Sequence, residues 1–188
     1  MYDMVPIQSY KSLGLVAAGI LLCGLAFLIT KWPQGRHMTF SQHAAMYRHA
    51  IVYYMALFVV TLPLLLLFFI GWFAPTFRMP SWFNMCIIGA VVLQFAVTVI
   101  PEVGGWKTKW HRFLAFWSSI FMLPPLGMIL FSQTASGLGK IVTLIGVIVM
   151  VTSIMVVMMH RLKHPSLLIF QASYYVAFFA AILTVTYI

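Results

Sequence analysis

Charged side chains are scarce in this sequence, and acidic ones are nearly absent. Only 7% of the 188 residues are charged, and the two carboxylates are Asp3 and Glu102. An ordinary soluble domain carries about 25% charged residues. Hydrophobic residues make up 63% of the chain, with a mean hydropathy of +1.04. This composition excludes a soluble domain, because too little polar surface is available, and it indicates a membrane protein.

Cysteine is also scarce, and both cysteines, Cys23 and Cys86, lie inside apolar runs. The chain has no CxxC or CxxCH motif, which excludes zinc ribbons, thioredoxin-like sites and c-type haem attachment. It also has no P-loop and no GxGxxG motif, so it contains neither of these nucleotide-binding signatures.

Six apolar runs occupy most of the chain, each close to the roughly 20 residues that a membrane-spanning helix requires. Their approximate bounds are 13–30, 50–74, 83–100, 113–131, 141–159 and 167–188. Only short loops remain between them. We therefore predict an all-α polytopic membrane protein, a six-transmembrane-helix bundle in which residues 1–188 form a single integral membrane domain.

Two local signals modify this pattern. The segment Thr39-Phe40-Ser41-Gln42 has the spacing of a capping box, which predicts that the second helix begins early and continues to about Phe73. Pro63 in the second span and Pro124-Pro125 in the fourth predict kinks, because proline removes an i→i−4 hydrogen bond.

The basic residues are distributed unequally between the loops. Eight of the 11 Lys and Arg residues fall in the first, third and fifth predicted loops. The positive-inside rule then places these loops in the cytoplasm and both termini outside. This bias accounts for the net charge of +9 without a nucleic-acid partner, and the charges also suit anionic lipid headgroups.

The spans themselves contain no charged residue, which disfavours an ion carrier. We expect their polar side chains to form hydrogen bonds between helices. The most prominent are Gln94, Ser118, Ser119, Thr152, Ser153 and Gln171.

Histidine placement is the most informative feature for chemistry. In the predicted topology all the histidines share one membrane face with Glu102. These histidines are His37, His43, His49, His111, His160 and His164. Histidine is the commonest metal ligand and the usual proton carrier near neutral pH, so this face is the candidate site.

Several interpretations of this face remain open. A zinc-dependent hydrolase acting on a lipid would use Glu102 as its base. Its zinc ligands would be His43, His111, His160 and His164. A haem-binding redox subunit would hold a b-type haem between His49 and His111. A further possibility is that the histidines are simply solvated at the membrane interface.

The interpretation we favour is a non-enzymatic protein that requires no cofactor. Its basic, histidine-rich face would contact lipid headgroups or a partner subunit, which includes a second copy of the chain. Phosphate groups would be bound by the basic side chains that precede the fourth span. The predicted contact residues are Ser41, His43, Glu102, Lys107, Lys109, His111 and Arg112.

Two stretches carry a family resemblance. One is Thr39-Phe40-Ser41-Gln42-His43-Ala44-Ala45, and the other combines Ile100-Pro101-Glu102, Gly104-Gly105-Trp106-Lys107 and His111-Arg112-Phe113-Leu114-Ala115, followed by Leu123-Pro124. Together they resemble the six-helix autophagy modulators of the DRAM type. They are more similar to the small bacterial relatives that form a family of unknown function numbered 998.

The resemblance implies a compact six-helix bundle in a bacterial inner (plasma) membrane. It also implies that Ser41, His43, Pro101, Glu102 and His111 are motif residues. Eukaryotic relatives are tied to lipid organisation and membrane trafficking, which suits a lipid-contacting role. The eukaryotic relatives carry a Ser-x-Ser-Glu pattern on the non-cytoplasmic side of the membrane. This chain has Ser41-Gln42-His43 at the corresponding position.

Overall fold

A computed structural model describes residues 7–159 and 165–188 of the chain. Within these residues the secondary structure is helical and contains no strand. The α-helices, in chain order, are α1 (Lys11–Lys31), α2 (Phe40–Ala45), α3 (Arg48–Phe68), α4 (Ala74–Thr76), α5 (Ser81–Val99), α6 (Gly105–Phe121), α7 (Leu123–Phe131), α8 (Gly137–Met159) and α9 (Leu167–Tyr187).

Six helical segments of the described chain are long and apolar enough to cross a membrane, which confirms the predicted all-α class and the six-helix bundle. They are Gln8–Lys31, Arg48–Thr76, Ser81–Val99, Gly105–Phe131, Gly137–Val157 and Leu167–Tyr187. The fourth begins well before the predicted residue 113. Lys107, Lys109 and Arg112 therefore belong to a helix and not, as predicted, to a loop.

The spans form a ring around the centre of the bundle. Along this ring α1 packs on α3, α3 on α5, α5 on α6, α7 on α8, α8 on α9, and α9 on α1. Because successive spans alternate in direction, the bundle has two distinct ends. We call the end where α5 finishes and α6 begins the Glu102 end, and the opposite end, where α3 is followed by α4, the Trp72 end.

The second span does not begin at the capping box, so the predicted single helix from Phe40 to Phe73 is wrong. The capping box itself is present at Thr39, with both reciprocal hydrogen bonds formed. However, α2 stops at Ala45, and Tyr47 is extended (φ −137°, ψ 136°) before α3 begins. A tertiary hydrogen bond favours the break, because the Phe40 N–H donates to Gln171 Oε1 at 2.7 Å and so ties the start of α2 to α9.

The proline prediction is confirmed at Pro124-Pro125, where the helix is interrupted, and the kink at Pro63 stays a prediction. α6 ends at Phe121, and a new helix begins immediately before Pro124 and Pro125. Pro63 lies within α3, which continues past it and then widens into a π-helical turn, Phe69–Phe73. The carbonyl of Gly71 in this turn accepts a hydrogen bond from the Ile7 N–H at 2.9 Å, which attaches the start of the chain to the Trp72 end.

Aromatic side chains fill the Trp72 end. Phe73 and Phe83 stack with their ring centroids 5.8 Å apart, and Phe68 and Trp72 stack at the same distance. Phe69 lies between these pairs and also contacts Phe178 on α9. All of these side chains are buried. This end of the bundle is therefore closed by packing.

Candidate functional site

Glu102 is the centre of a hydrogen-bonded group at its end of the bundle. The residue lies in the loop between α5 and α6, and its side chain is only 4% exposed. Oε1 accepts from Gln42 Nε2 at 3.2 Å and from Arg112 Nε at 2.8 Å. Oε2 lies 3.0 Å from Ser41 Oγ and 3.3 Å from Thr39 Oγ1. We call Thr39, Ser41, Gln42, Glu102 and Arg112 the Glu102 cluster.

The loop that carries Glu102 owes its shape to two glycines and a histidine. Gly104 (φ 98°) and Gly105 (φ 58°) occupy the left-handed region that favours glycine, so the chain turns into α6 at once. His111 Nδ1 lies 2.6 Å from the Ile100 carbonyl oxygen. A carbonyl oxygen only accepts, so Nδ1 donates this hydrogen bond. The bond holds the start of the loop against α6 and brings Glu102 within reach of Arg112.

The predicted contact residues fall into three groups. Ser41, Glu102 and Arg112 are joined directly in the Glu102 cluster. His43 and His111 are buried beside it, and His43 Nδ1 bonds to the Thr39 carbonyl oxygen at 2.9 Å. The remaining two, Lys107 and Lys109, are exposed on the first turns of α6.

The zinc and haem hypotheses stay predictions. Two of the proposed zinc ligands, His160 and His164, lie outside the described residues. Within the described ranges, no group of three or more His, Cys, Asp or Glu side chains is placed to hold a metal ion. Of the proposed haem ligands, His49 is exposed at the start of α3, whereas His111 is buried.

A cavity of about 490 Å³ lies inside the bundle and adjoins the Glu102 cluster. Along the fourth span its lining extends from His111 to Met122, which at 1.5 Å per residue is a distance of about 17 Å. That is more than half of the roughly 30 Å hydrocarbon core of a bilayer. The polar side chains at its Glu102 end are Thr39, Ser41, Glu102, His111, Arg112 and Gln171.

Farther from the Glu102 end the cavity lining is largely apolar and aromatic. It includes Phe58 and Leu62 of α3, Phe116 of α6, and Phe178 of α9. The lining therefore changes from charged and polar at one end to largely apolar in the interior, where the polar side chains that remain are uncharged, such as Gln94 and Ser118. A compartment with this gradient suits an amphiphile better than a wholly polar or wholly apolar molecule.

Hydrogen bonds between helices border the cavity, and several involve the polar side chains noted in the sequence. Ser118 Oγ on α6 donates to the Ala90 carbonyl on α5 at 3.1 Å, and Tyr174 OH on α9 donates to the Ser119 carbonyl at 3.1 Å. Ser119 and Ser153 differ from the expectation, because their hydroxyls donate to carbonyls of their own helices, those of Ala115 and Val149. These contacts support the walls without filling the interior.

Some residues of the site were not among the predicted contact residues. Thr39 and Gln42 were recognised only as capping residues, although both also reach Glu102. Gln171 was expected only to bond to another helix, and an isolated amide inside an apolar run was its signal. The cavity has no signal in the sequence, because ordinary apolar side chains form most of its lining.

No protein-family model matches the chain, and neither a curated protein nor a solved structure does. The resemblance to the DRAM-type family and to family 998 accordingly stays a prediction.

Proposed function

We propose that this chain is a non-enzymatic integral membrane protein that binds one amphiphilic lipid. The apolar part of the lipid would occupy the cavity, and its headgroup would lie at the Glu102 cluster. The observation that carries the proposal is the continuity between this cluster and the apolar cavity. The cavity volume of about 490 Å³ lies within the range of roughly 300–1,000 Å³ typical of ligand sites.

The polarity of the site parallels that of a membrane leaflet. In a bilayer, headgroups lie near the ends of spanning helices and acyl chains lie deeper. The cavity has its charged side chains at a helix end and its aromatic side chains toward the middle of the bundle. The headgroup of a lipid bound in the cavity would therefore lie at about the depth that it has in the bilayer.

The hydrogen bonding of Glu102 supports a binding role over a hydrolytic one. An ionised carboxylate has about four lone-pair positions. Four side chains of the Glu102 cluster lie within hydrogen-bond distance of this carboxylate. A carboxylate held in this way stabilises the loop and the end of the cavity. Few of its lone pairs remain free to accept a proton from a water molecule.

We also propose that the Glu102 end faces the cytoplasm of a bacterial cell, with both termini outside the plasma membrane. The support is the excess of Lys and Arg in the loops assigned to that end. At such a surface, anionic lipids would be attracted to the mouth of the cavity.

Native mass spectrometry after extraction in a mild detergent tests lipid binding. Ala115 lines the cavity on α6, and Ala180 is exposed on the outer face of α9. We expect the unmodified protein and Ala180→Phe to retain one amphiphile per chain. Ala115→Phe fills part of the cavity and should lose it. Equal retention by both variants, or bare unmodified protein, would contradict the proposal.

A further inference from the structure

The Glu102 end of the cavity also indicates which headgroup it accepts. Resting on the proposed function, we infer that the bound amphiphile carries an oxyanion, a carboxylate or a phosphate, and that Arg112 binds it. Glu102 would then be a positioning residue, which holds the Arg112 side chain and does not touch the ligand.

The first step concerns the negative charge of Glu102 and whether it is free to bind a cationic headgroup. Glu102 is the only acidic residue of the described chain. The Glu102 cluster engages its carboxylate with hydroxyl, amide and guanidinium donors. Little acceptor capacity is left for an ammonium or choline headgroup. The carboxylate therefore does not provide a site for a cation.

The second step concerns the free side of the Arg112 guanidinium. Only its Nε is engaged in the described structure, by Glu102 Oε1 at 2.8 Å. The side chain lines the cavity and is 47% exposed. A guanidinium carries five N–H donors in a planar fork, and its terminal nitrogens bind a carboxylate or phosphate with two parallel hydrogen bonds. The bond to Glu102 restricts the orientation of this fork, so less conformational entropy is lost when an anion binds.

The third step concerns the surroundings of Arg112. Lys107 and Lys109 lie on the same helix, five and three residues before Arg112, and both are exposed. Glu102 offsets one positive charge of this group, so the end of the cavity keeps a net positive charge. Such a surface raises the local concentration of anionic amphiphiles and disfavours cationic ones.

Amphiphiles that differ only in headgroup test this inference on the purified full-length protein. Lysophosphatidic acid and monoacylglycerol with the same acyl chain differ by one phosphate. A fatty acid and its fatty alcohol form the equivalent pair for a carboxylate. We expect the anionic member of each pair to bind about tenfold more tightly, because Arg112 is partly exposed and solvent screens much of the gain from its charge-assisted hydrogen bonds. Inorganic phosphate alone should compete only weakly, because it cannot use the apolar cavity.

Two matched variants assign the effect to Arg112. Arg112→Gln removes the fork and should reduce lysophosphatidic acid binding to the level of monoacylglycerol, whose own affinity should stay unchanged. Lys140→Gln removes a basic residue at the start of α8, at the opposite end of the bundle, and should keep the preference. If Arg112→Gln does not fold, the paired ligands on the unmodified protein still decide whether the headgroup is an oxyanion.

The results separate this inference from the proposed function. Equal affinities within each pair, or a preference that survives Arg112→Gln, would overturn the oxyanion assignment while lipid binding stands. Competition by inorganic phosphate as strong as that by lysophosphatidic acid would also overturn it, because the site would then be a phosphate site and not an amphiphile site. Failure of every amphiphile to bind would refute the proposed function itself.

Discussion

The two ends of this bundle are held together in different ways. At the Glu102 end, a carboxylate in the loop between α5 and α6 binds side chains of α2, α6 and the segment that precedes α2. At the Trp72 end, stacked aromatic rings from the π-helical turn and α5 close the bundle. Within the described residues, three buried polar atoms lack a hydrogen-bond partner, and all lie toward the Trp72 end: Trp72 Nε1, Thr76 Oγ1 and Asn84 Oδ1.

The difference explains why the cavity adjoins the Glu102 end. In a membrane, helices gain little from the hydrophobic effect, so packing and hydrogen bonds must hold them together. Ring packing at the Trp72 end fills the interior. Hydrogen bonds at the Glu102 end fix α2, α6 and α9 through a few directional contacts and leave the space between them open.

Removal of the carboxylate should have the largest effect on stability. Glu102→Ala takes the shared acceptor from Ser41, Gln42 and Arg112, and hydrogen bonds to a charged group contribute about 1.5–3 kcal/mol each. We expect the free energy of unfolding to fall by about 3 kcal/mol, measured by denaturant titration in detergent micelles, which is less than the sum because the exposed Arg112 side chain regains hydrogen bonds to water. The exposed change Lys109→Ala is the control and should shift it by less than about 0.5 kcal/mol. Equal shifts would show that the Glu102 cluster is not a stabilising centre.

Truncation of a buried aromatic side chain at the Trp72 end should have the second-largest effect on stability. Phe73 is fully buried and stacks on Phe83. In a soluble core, Phe→Ala costs about 3–5 kcal/mol, but part of that cost is transfer from water, which lipid surroundings largely remove. We expect Phe73→Ala to lower the free energy of unfolding by about 2 kcal/mol in the same titration. Ligand retention should not change, because Phe73 does not line the cavity. A loss of ligand in this variant would show that the two ends are coupled.

The smallest expected effects on stability come from a matched pair of threonine substitutions, one at each end of the bundle. Thr39→Val removes the helix cap of α2 and a contact to Glu102, which should cost about 1–2 kcal/mol. Thr76→Val removes a buried hydroxyl that has no partner in the described structure, so it should be neutral or stabilise the protein by up to about 1 kcal/mol. Thermal unfolding of both variants measures the difference. A cost at Thr76 equal to that at Thr39 would show that its hydroxyl has a partner after all.

Composition and periodic features predicted much of the fold. The apolar runs indicated six membrane-spanning helices, the capping box marked the start of α2, and Pro124 marked the division between α6 and α7. Each of these rests on local physical chemistry that is visible in consecutive residues. The early start of α6 was missed, because basic residues beside Gly105 were taken to mark a loop.

The remaining features depend on contacts between distant residues. Neither glycine nor proline marks the break at Tyr47, which follows from the attachment of α2 to Gln171 and Glu102. Ser41, Glu102 and Arg112 were selected for their chemistry, but their mutual contacts required the three-dimensional arrangement. The cavity was invisible for the same reason, because an apolar side chain that lines it cannot be told in the sequence from one that faces lipid.

Photo-crosslinking with a fatty acid that carries a diazirine at its methyl end tests the central claim most directly. The modified residues would be located by peptide mass spectrometry on the full chain in lipid nanodiscs. The account predicts labelling of residues that line the interior, such as Phe116, Met122 and Phe178. Labelling confined to outward-facing residues, such as Val92, Phe95 and Val176, would place the acyl chain in the surrounding bilayer and contradict it.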